Sequence, residues 1–207
     1  MNSVQMGTKE RRARSKQNLR EEILEVARAL FVKEGYDNVS IRKIADRVEY
    51  APGTIYLYFK DKADIFRTIC DETFGKLHRR LSAIAQDSSP PLENLRRCGR
   101  AYVQFALDNP AHYTLVFMTR LDAALPQNSQ THDVGQLCFQ DLCNIVQQCI
   151  EHDLLRGTDV NEISQAVWAA VHGVASLLIA KCEFPFVEHS RLIESVVDMA
   201  IEGVRKQ

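Results

Sequence analysis

Two tyrosines and a threonine lie in a short segment, GTIYLYFKDK, that is too aromatic for an ordinary solvent-exposed surface. Ile55 and Phe59 are four residues apart, so on a helix both would point inward. Thr54 and Tyr56 would then point outward, where their hydroxyl groups could bind a phosphate or a base edge. We interpret Thr54 and Tyr56 as candidate DNA-reading residues, and semi-buried packing is the alternative for Tyr56.

Hydroxyl and basic side chains flank this segment at two positions where helices are expected to begin. Ser40, Arg42 and Lys43 open one predicted helix, and Lys62 opens the long helix that follows. The first turn of a helix has unpaired N–H groups and the positive end of the helix dipole, so it suits a phosphate group. We therefore predict that these four side chains contact DNA phosphates.

The cysteines and histidines do not form a recognisable site of another kind. The six cysteines have no CxxC spacing and no CxxC–HxxxH combination, which argues against zinc. The sequence also lacks a glycine-rich phosphate loop and a nucleophile elbow, so we predict no catalytic residue, no metal and no cofactor. We expect buried, reduced thiols, with redox sensing as the alternative, at Cys70, Cys98, Cys138, Cys143, Cys149 and Cys182.

Apolar residues recur at three- and four-residue spacing along almost the whole chain, and no long run alternates with a period of two. This pattern predicts an all-α protein of about nine helices. The predicted helices cover about 17–34, 41–48, 52–59, 62–86, 91–108, 110–119, 132–154, 159–182 and 187–205. Gly35, Ser40, Pro52 and Asp61 stand where helix-capping residues belong.

The second and third predicted helices are brief and joined by a tight turn, which is a helix-turn-helix arrangement. Ala45 is small enough for the point where two such helices cross. Glu49 stands in the turn, where a positive φ angle would favour glycine, and the Ala51 side chain cannot cap the third helix. We expect apolar contacts between the two helices at Ile44, Val48, Tyr50 and Ile55.

Charge is distributed unevenly, although the formal net charge is only −1. Residues 1–80 carry 17 Lys/Arg and 12 Asp/Glu, whereas residues 81–207 carry 9 and 15. A basic front joined to an acidic back indicates a polyanion-binding module on a differently employed body. No apolar run approaches the ~18 residues of a membrane span and no secretory signal is evident, so we expect a cytoplasmic protein without a membrane partner.

Over roughly Leu19 to Phe66 these motifs resemble the DNA-binding domain of TetR-family transcriptional regulators, and GTIYLYFKDK is the most specific part of the match. The resemblance implies an all-helical homodimer whose first three helices bind an operator and whose later helices bind a ligand and dimerise. It also implies DNA contacts at Ser40, Arg42, Thr54, Tyr56, Tyr58 and Lys62. Semi-buried packing stays open as the alternative for Tyr58.

These expectations divide the chain into a flexible basic tail at 1–16, a helix-turn-helix domain at 17–62, and a larger helical effector-binding and dimerisation domain at 63–207. The basic residues of the tail either reach an adjacent minor groove or give only sequence-independent attraction to DNA. These residues are Lys9, Arg11, Arg12, Arg14 and Lys16.

In the later part of the chain, Trp168, His172 and Gly173 resemble the Trp-xxx-His-Gly pattern of one class of TetR effector domains. Trp168 and His172 would share a helix face, and His172 is either a ligand contact or a core histidine bonded to a neighbour. Other aromatic residues could line a cavity with them or form plain core, and an apolar lining would suit a lipophilic or aromatic ligand. The candidate ligand contacts are Phe74, Tyr102, Phe105, Tyr113, Phe117, Trp168 and His172.

The last two predicted helices carry apolar faces that could form a four-helix seam with a second copy. A two-fold dimer would place two reading helices about 34–36 Å apart, or a multiple of this, on a near-palindromic double-stranded operator. We thus expect a nucleoid-associated bacterial repressor, released from DNA by a small ligand that favours another body conformation. The alternative is a constitutive DNA-binding or architectural protein without an effector, and the same sequence is compatible with activation.

Overall fold

The computed structural model describes residues 8–118, 130–180 and 183–207, with the backbone alone for 8–15, 118 and 130–133. Within these residues the chain forms nine α-helices, one π-helical turn and no β-strand, which confirms the all-α prediction. The helices are α1 (Thr8–Glu34), α2 (Ile41–Arg47), α3 (Pro52–Ile55), α4 (Lys62–Ala85), α5 (Pro91–Asp108), α6 (Pro110–Tyr113), α7 (Gln130–Glu151), α8 (Val160–Ile179) and α9 (His189–Val204). The π-helical turn, Thr114–Met118, directly follows α6.

The described residues divide into two compact units, and the division falls inside α4, between Cys70 and Asp71. The first unit contains the chain up to Cys70 and a short segment that begins at Leu115. The second contains Asp71–Thr114 and the described residues beyond 126. The functional boundary at 62/63 stays a prediction, because it marks where DNA contacts are expected to end.

α1 begins at Thr8, well before the predicted start near residue 17. The segment before residue 17 is rich in Lys and Arg, which extend a helix readily once it is nucleated further along the chain. The backbone is therefore helical where a flexible tail was expected. The side chains of Lys9, Arg11, Arg12 and Arg14 lie outside the described part of the structure, so their role on DNA stays a prediction.

The first unit encloses a core built from one face of each of its helices. Its buried apolar residues include Ile23, Leu24, Ala27, Phe31, Val39, Ile44, Ala45, Val48, Ile55, Phe59, Ile65, Phe66 and Ile69. The rings of Phe31, Tyr36 and Phe66 form a cluster with pairwise centroid distances of 5.4, 5.7 and 5.2 Å. Tilted and edge-to-face contacts of this kind add to the apolar burial of each ring, so this cluster fixes the loop after α1 against α4.

Capping residues set the starts of the short helices as predicted. The Ser40 hydroxyl accepts a hydrogen bond from the Lys43 N–H at 3.2 Å, at the start of α2. Pro52 opens α3, where its missing N–H has no intrahelical partner to lose. The Asp61 carboxylate accepts from the Asp64 N–H at 2.7 Å, at the start of α4.

The turn between α2 and α3 forms a Schellman motif although it contains no glycine. Glu49 has a φ angle of +61°, and the Tyr50 N–H donates to the Ala45 carbonyl at 3.0 Å. A left-handed residue other than glycine costs about 1–2 kcal/mol. The prediction that Tyr50 holds the two helices together is wrong, because this turn leaves its side chain 46% exposed.

In the second unit α5 lies at the centre, and α7, α8 and α9 pack around it. Leu95, Val103 and Ala106 on α5 are fully buried. Gly99 permits a close approach of two helices, because a Cβ atom there would lie 3.4 Å from methyl groups of both Val171 and Val197. α5 therefore packs closely against both of the last two helices.

α8 is long and apolar enough, by length and composition alone, to cross a membrane, with a mean hydropathy of 1.3. The helix contains Asn161, Glu162, Gln165 and His172, so it is not the continuous apolar run that was expected to be absent. Only 33% of the most apolar window is buried in the protomer, so α8 is apolar on more than the side that faces α5 and α9. The Asp159 carboxylate caps α8 by accepting from the Asn161 and Glu162 N–H groups at 2.9 and 3.1 Å.

We predict that Glu49→Gly stabilises the chain by about 0.5–1 kcal/mol. Glycine removes the steric cost of a positive φ angle, and part of this gain is lost because glycine makes the unfolded chain more flexible. Urea unfolding followed by circular dichroism measures the change.

The matched control is Asp46→Gly, at an exposed position within α2. There the backbone is helical, so glycine should destabilise by about 1 kcal/mol. Destabilisation of similar size by both substitutions would contradict a left-handed conformation at Glu49.

Candidate DNA-binding surface and ligand groove

The predicted reading residues lie at the end of α3 and just beyond it. Ile55 and Phe59 are buried, as their spacing predicted, whereas Tyr56 is 57% exposed and Thr54 is half-buried. The chain after α3 continues in hydrogen-bonded turns, with the N–H groups of Tyr58 and Phe59 donating to the Ile55 carbonyl at 2.9 and 3.0 Å. Tyr56 is thereby presented to solvent on a short, internally bonded element.

Leu57 belongs to the same surface, although the sequence reasoning did not select it. It is 74% exposed, which is unusual for a leucine beside a folded core. The signal was present in the spacing, because a residue two positions after Ile55 lies about 200° around a helix and so points away from the core. Tyr56 and Leu57 together form an exposed pair of a phenol and an apolar side chain.

The position of Tyr58 is compatible with both interpretations that the sequence left open, a DNA contact and semi-buried packing. Its side chain is half-buried, and the Lys16 ammonium lies 5.8 Å from the centroid of its ring. The neighbouring Phe59 ring has the Arg20 guanidinium at 5.4 Å. α1 therefore brings two cations next to the aromatic pair, which adds positive charge beside the predicted reading surface.

The residues predicted to bind phosphate at the start of α2 differ in what they already contact. Arg42 is exposed, and the Ser40 hydroxyl serves as the helix cap. The Lys43 ammonium forms an ion pair with the Glu34 carboxylate. A phosphate at this helix start would therefore meet Arg42 directly and would compete with Glu34 for Lys43.

Lys62, at the start of α4, is held by a residue far away in sequence. Its ammonium donates to the Tyr36 carbonyl at 2.8 Å and lies 4.1 Å from the centroid of the Tyr36 ring. An ammonium has three N–H donors, so these contacts leave room for a phosphate oxygen. Lys62 thus joins the loop after α1 to α4 and stays a predicted phosphate contact.

A groove in the second unit contains the tryptophan and histidine of the Trp-xxx-His-Gly pattern. It has a volume of about 470 Å³ and is lined by Phe139 on α7 and by Gln165, Trp168, Ala169 and His172 on α8. Trp168 is 38% exposed, and its ring centroid lies 6.1 Å from that of Phe139 and 5.7 Å from that of His172. The predicted pair therefore shares one face of α8, and Phe139, Gln165 and Ala169 complete the lining.

Hydrogen bonds hold His172 from the side of the core. Its Nδ1 atom lies 2.9 Å from the Tyr102 hydroxyl and 2.7 Å from the Tyr113 hydroxyl. The Tyr113 hydroxyl also lies 3.2 Å from Ser176 Oγ. Burial lowers the pKa of His172 and raises the pKa of both tyrosines, so all three are predominantly neutral near pH 7. His172 therefore has the hydrogen bonds of a core histidine and also lines the groove.

The other candidate ligand contacts lie elsewhere. Tyr102 and Tyr113 are buried behind His172, and Phe105 is buried with the Arg80 guanidinium 5.7 Å from its ring centroid. Phe74 packs against α7, and Phe117 belongs to the first unit. None of these five residues is part of the groove lining. Sequence spacing could not separate core from lining, because both use aromatic residues at helical intervals.

The cysteines within the described residues are free and buried thiols. Burial raises the pKa of Cys98 and Cys138 to about 12 and that of Cys149 to about 11. A thiol that stays protonated is a poor nucleophile and a poor metal ligand, which favours the packing interpretation over redox sensing. No metal-binding group of His, Cys, Asp and Glu is found in this part of the chain, and Cys182 lies outside it.

Comparison with known proteins identifies both parts of the chain. Residues 23–69 match the family described as bacterial regulatory proteins, tetR family, and residues 95–201 match the tetracyclin repressor-like C-terminal domain. An uncharacterized HTH-type transcriptional regulator of Haemophilus influenzae is 22% identical over 199 residues, which cover 93% of this chain and 98% of that protein. An HTH-type transcriptional regulator of Staphylococcus aureus is 31% identical over 92 residues, which cover 44% of this chain and 50% of that protein.

Solved structures share the fold over nearly the whole chain. The fatty acid degradation regulator FadR from Bacillus halodurans superposes with a TM-score of 0.75 at 18% identity, covering 98% of this chain and 100% of its own. The TetR family transcriptional regulator PfmR from Thermus thermophilus gives a TM-score of 0.73 at 20% identity, covering 89% and 99%. At these identities the likeness shows a common all-helical architecture.

We predict that His172 makes folding stability dependent on pH. Its pKa in the folded chain lies below the ordinary value of 6.5, so the unfolded chain takes up the proton first as the pH falls through about 6.5. The stabilisation that wild type has over His172→Asn should thus be complete near pH 7.5 and smaller near pH 5.5.

Urea unfolding of both proteins at the two pH values measures this difference. His152→Asn, at the exposed end of α7, controls for the removal of a histidine in general. A stability difference between wild type and His172→Asn that grows on acidification would contradict the buried, neutral imidazole.

Proposed function

Because this chain belongs to the TetR family of bacterial transcriptional regulators, we propose that it represses transcription from a near-palindromic operator and is released by a small lipophilic or aromatic ligand. The observation that carries the DNA-binding part is the exposed pair Tyr56 and Leu57, beside Thr54 at the end of α3. Regulators of this family are cytoplasmic DNA-binding proteins rather than enzymes. Operator binding would place this one on the nucleoid.

The chemistry of the reading surface suits a major groove. The Tyr56 hydroxyl can donate to a base edge or a phosphate, and the apolar Leu57 suits a thymine methyl group. Arg42 and Lys62 supply positive charge at the starts of α2 and α4, where N–H groups and the helix dipole add to the attraction for phosphate. The phosphate contacts would position the protein, and the Tyr56–Leu57 pair would distinguish sequences.

The exposed side of α8 and α9 supports a dimer through the last two helices. Leu177 on α8 is 52% exposed and Met199 on α9 is 67% exposed. Apart from the neighbouring residues and the backbone of the same helix, no described heavy atom lies within 4 Å of a Cβ atom built at Gly173 or Gly203. The predicted close helix approach at Gly173 is therefore not made within the protomer, and a helix of a second copy could supply it.

α4 supports the proposed link between ligand and DNA, because it runs without interruption from Lys62 to Ala85. Within the second unit, α7 packs against α4. The Phe74 ring packs on Gly135, where a Cβ atom would lie only 3.3 Å away, and the Cys138 thiol donates to the Phe74 carbonyl at 3.4 Å. His78 Nδ1 lies 2.7 Å from Asp141 Oδ2, although burial raises the pKa of the Asp141 carboxyl.

These contacts suggest how a ligand would act. A ligand that binds one arrangement of α7 more tightly than another would shift the population of α4 positions with it. The size of the shift is limited by the difference between its two affinities. The two reading elements of a dimer would then lose the operator spacing. A constitutive DNA-binding protein would share the reading surface and would keep its operator affinity in the presence of any groove ligand.

We predict that Tyr56→Ala weakens operator binding by about 10- to 100-fold, because it removes a hydrogen bond and apolar contact in the major groove. Genomic fragments selected with the purified full chain supply the operator, and fluorescence anisotropy at about 150 mM salt measures the affinity. Tyr56→Phe removes the hydroxyl alone and separates its part from that of the ring.

Val32→Ala, at an exposed apolar position on α1, is the control and should keep the wild-type affinity. Circular dichroism of each variant shows that the helices are intact. Wild-type affinity of a folded Tyr56→Ala would remove Tyr56 from the reading surface, and a chain that selects no fragment would refute DNA binding itself.

We predict that Gly173→Leu converts the dimer to a monomer while α8 stays folded. Leucine is a good helix former and meets open space in the protomer, whereas it would separate two closely packed helices in a dimer. Size-exclusion chromatography with light scattering measures the mass. Gln147→Leu adds the same side chain to an exposed position of α7 and should leave the mass unchanged. An unchanged dimer mass for Gly173→Leu would place the interface elsewhere.

A further inference from the structure

The groove between α7 and α8 has the size and surface of a small-molecule site. Its volume of about 470 Å³ lies within the range of about 300–1,000 Å³ that is usual for ligand pockets. Phe139 and Trp168 form two of its walls, with ring planes inclined at 58°. The indole is 38% exposed, although exposed tryptophan is otherwise uncommon, so an aromatic surface is available for contact.

The lining favours an uncharged occupant. Phe139, Gln165, Trp168 and Ala169 carry no charge, and His172 is held among two phenols in a buried hydrogen-bond network. An ion placed against these described lining residues would lose part of its hydration and gain no opposite charge from them. The Gln165 amide can both donate and accept, so it suits a neutral polar group at the edge of the ligand.

The groove adjoins the surface proposed for dimerisation. At 3.6 residues per turn, Trp168 and His172 lie between about 100° and 180° around α8 from Gly173 and Leu177, whereas Ala169 lies only about 40° from Gly173. The groove therefore opens beside the dimer face, and Ala169 lies at the edge between the two.

We propose that this groove is the effector site and that it takes a neutral, planar aromatic molecule whose ring lies against Trp168 and whose polar edge meets Gln165. The proposal rests on the ligand-responsive function proposed above and names its site and ligand class. It assigns Phe139, Gln165 and Ala169 to ligand binding, in addition to Trp168 and His172. It also excludes anionic ligands such as free carboxylates and phosphate esters.

The position of Phe139 gives the ligand access to α4. Phe139 follows Cys138 directly, and Cys138 holds α4 through the Phe74 carbonyl. A ligand packed on Phe139 therefore contacts the same turn of α7 that holds α4. Differential binding to two positions of this turn is what a population shift requires.

The test uses the single tryptophan of the chain. Full-length protein labelled with 5-fluorotryptophan has one protein ¹⁹F resonance, from Trp168, and is titrated with 2-naphthol near neutral pH. A saturable shift of this resonance is expected. The anion 2-naphthoate has the same ring system and should bind at least about tenfold more weakly, because the described lining residues offer its charge no partner.

Ala169→Phe fills the groove, and a variant that keeps the wild-type mass in size-exclusion chromatography with light scattering should bind 2-naphthol at least about tenfold more weakly. Gln147→Phe, an exposed position on α7, is the matched control and should bind as wild type does. Equal binding of naphthoate overturns the neutral ligand class. Binding that survives a folded Ala169→Phe overturns the site, and the absence of any shift at the solubility limit of 2-naphthol overturns the proposal as a whole.

These titrations contain no DNA, so they separate this proposal from the proposed function. Groove binding without operator binding would refute the regulator and leave the site standing. Operator binding without groove binding would refute the site and favour the constitutive alternative. If both occur, 2-naphthol should release the operator from wild type but not from Ala169→Phe. This result would connect groove binding to release from DNA.

Discussion

The DNA-binding surface depends on the packing of α3 against the core of the first unit. A helix of four residues is not stable by itself. Ile55 and Phe59 are buried in the core of the first unit, and the Ile55 carbonyl accepts the N–H groups that continue the chain beyond α3. Glu49 has a left-handed backbone conformation in the turn that leads into α3. This conformation is strained for a residue other than glycine. Because these residues carry the packing, Tyr56 and Leu57 can stay exposed for recognition.

The lysines around this surface also have partners within the first unit. Lys43 pairs with Glu34, and Lys62 is bound to the carbonyl and ring of Tyr36. Exposed ion pairs contribute only about 0–1 kcal/mol, so a phosphate can replace Glu34 at little cost. The internal partners therefore orient these side chains without withdrawing them from DNA. The predicted phosphate contacts and the internal contacts of the domain therefore involve the same two lysines.

In the second unit α7 both contacts α4 and lines the groove. Gly135, Cys138 and Asp141 hold α4, and Phe139 forms a wall of the groove. His172 has a similar double position, because its Nδ1 atom is bound by two tyrosines while the residue also lines the groove. A buried hydrogen-bond network restricts the geometry of its members, so this wall of the groove would be preorganised for the proposed ligand.

Helical periodicity and capping residues were sufficient to predict the all-α class, the starts of α2, α3 and α4, and the inward direction of Ile55 and Phe59, because these depend on contacts between near neighbours. The resemblance over roughly Leu19 to Phe66, of which GTIYLYFKDK is the most specific part, predicted the family. The turn at Glu49, the exposure of Tyr50, the Lys62–Tyr36 contact and the pairing of Phe139 with Trp168 were decided only by tertiary structure. These features join residues on different helices or depend on the direction of a chain held by packing, and no spacing along one helix encodes them.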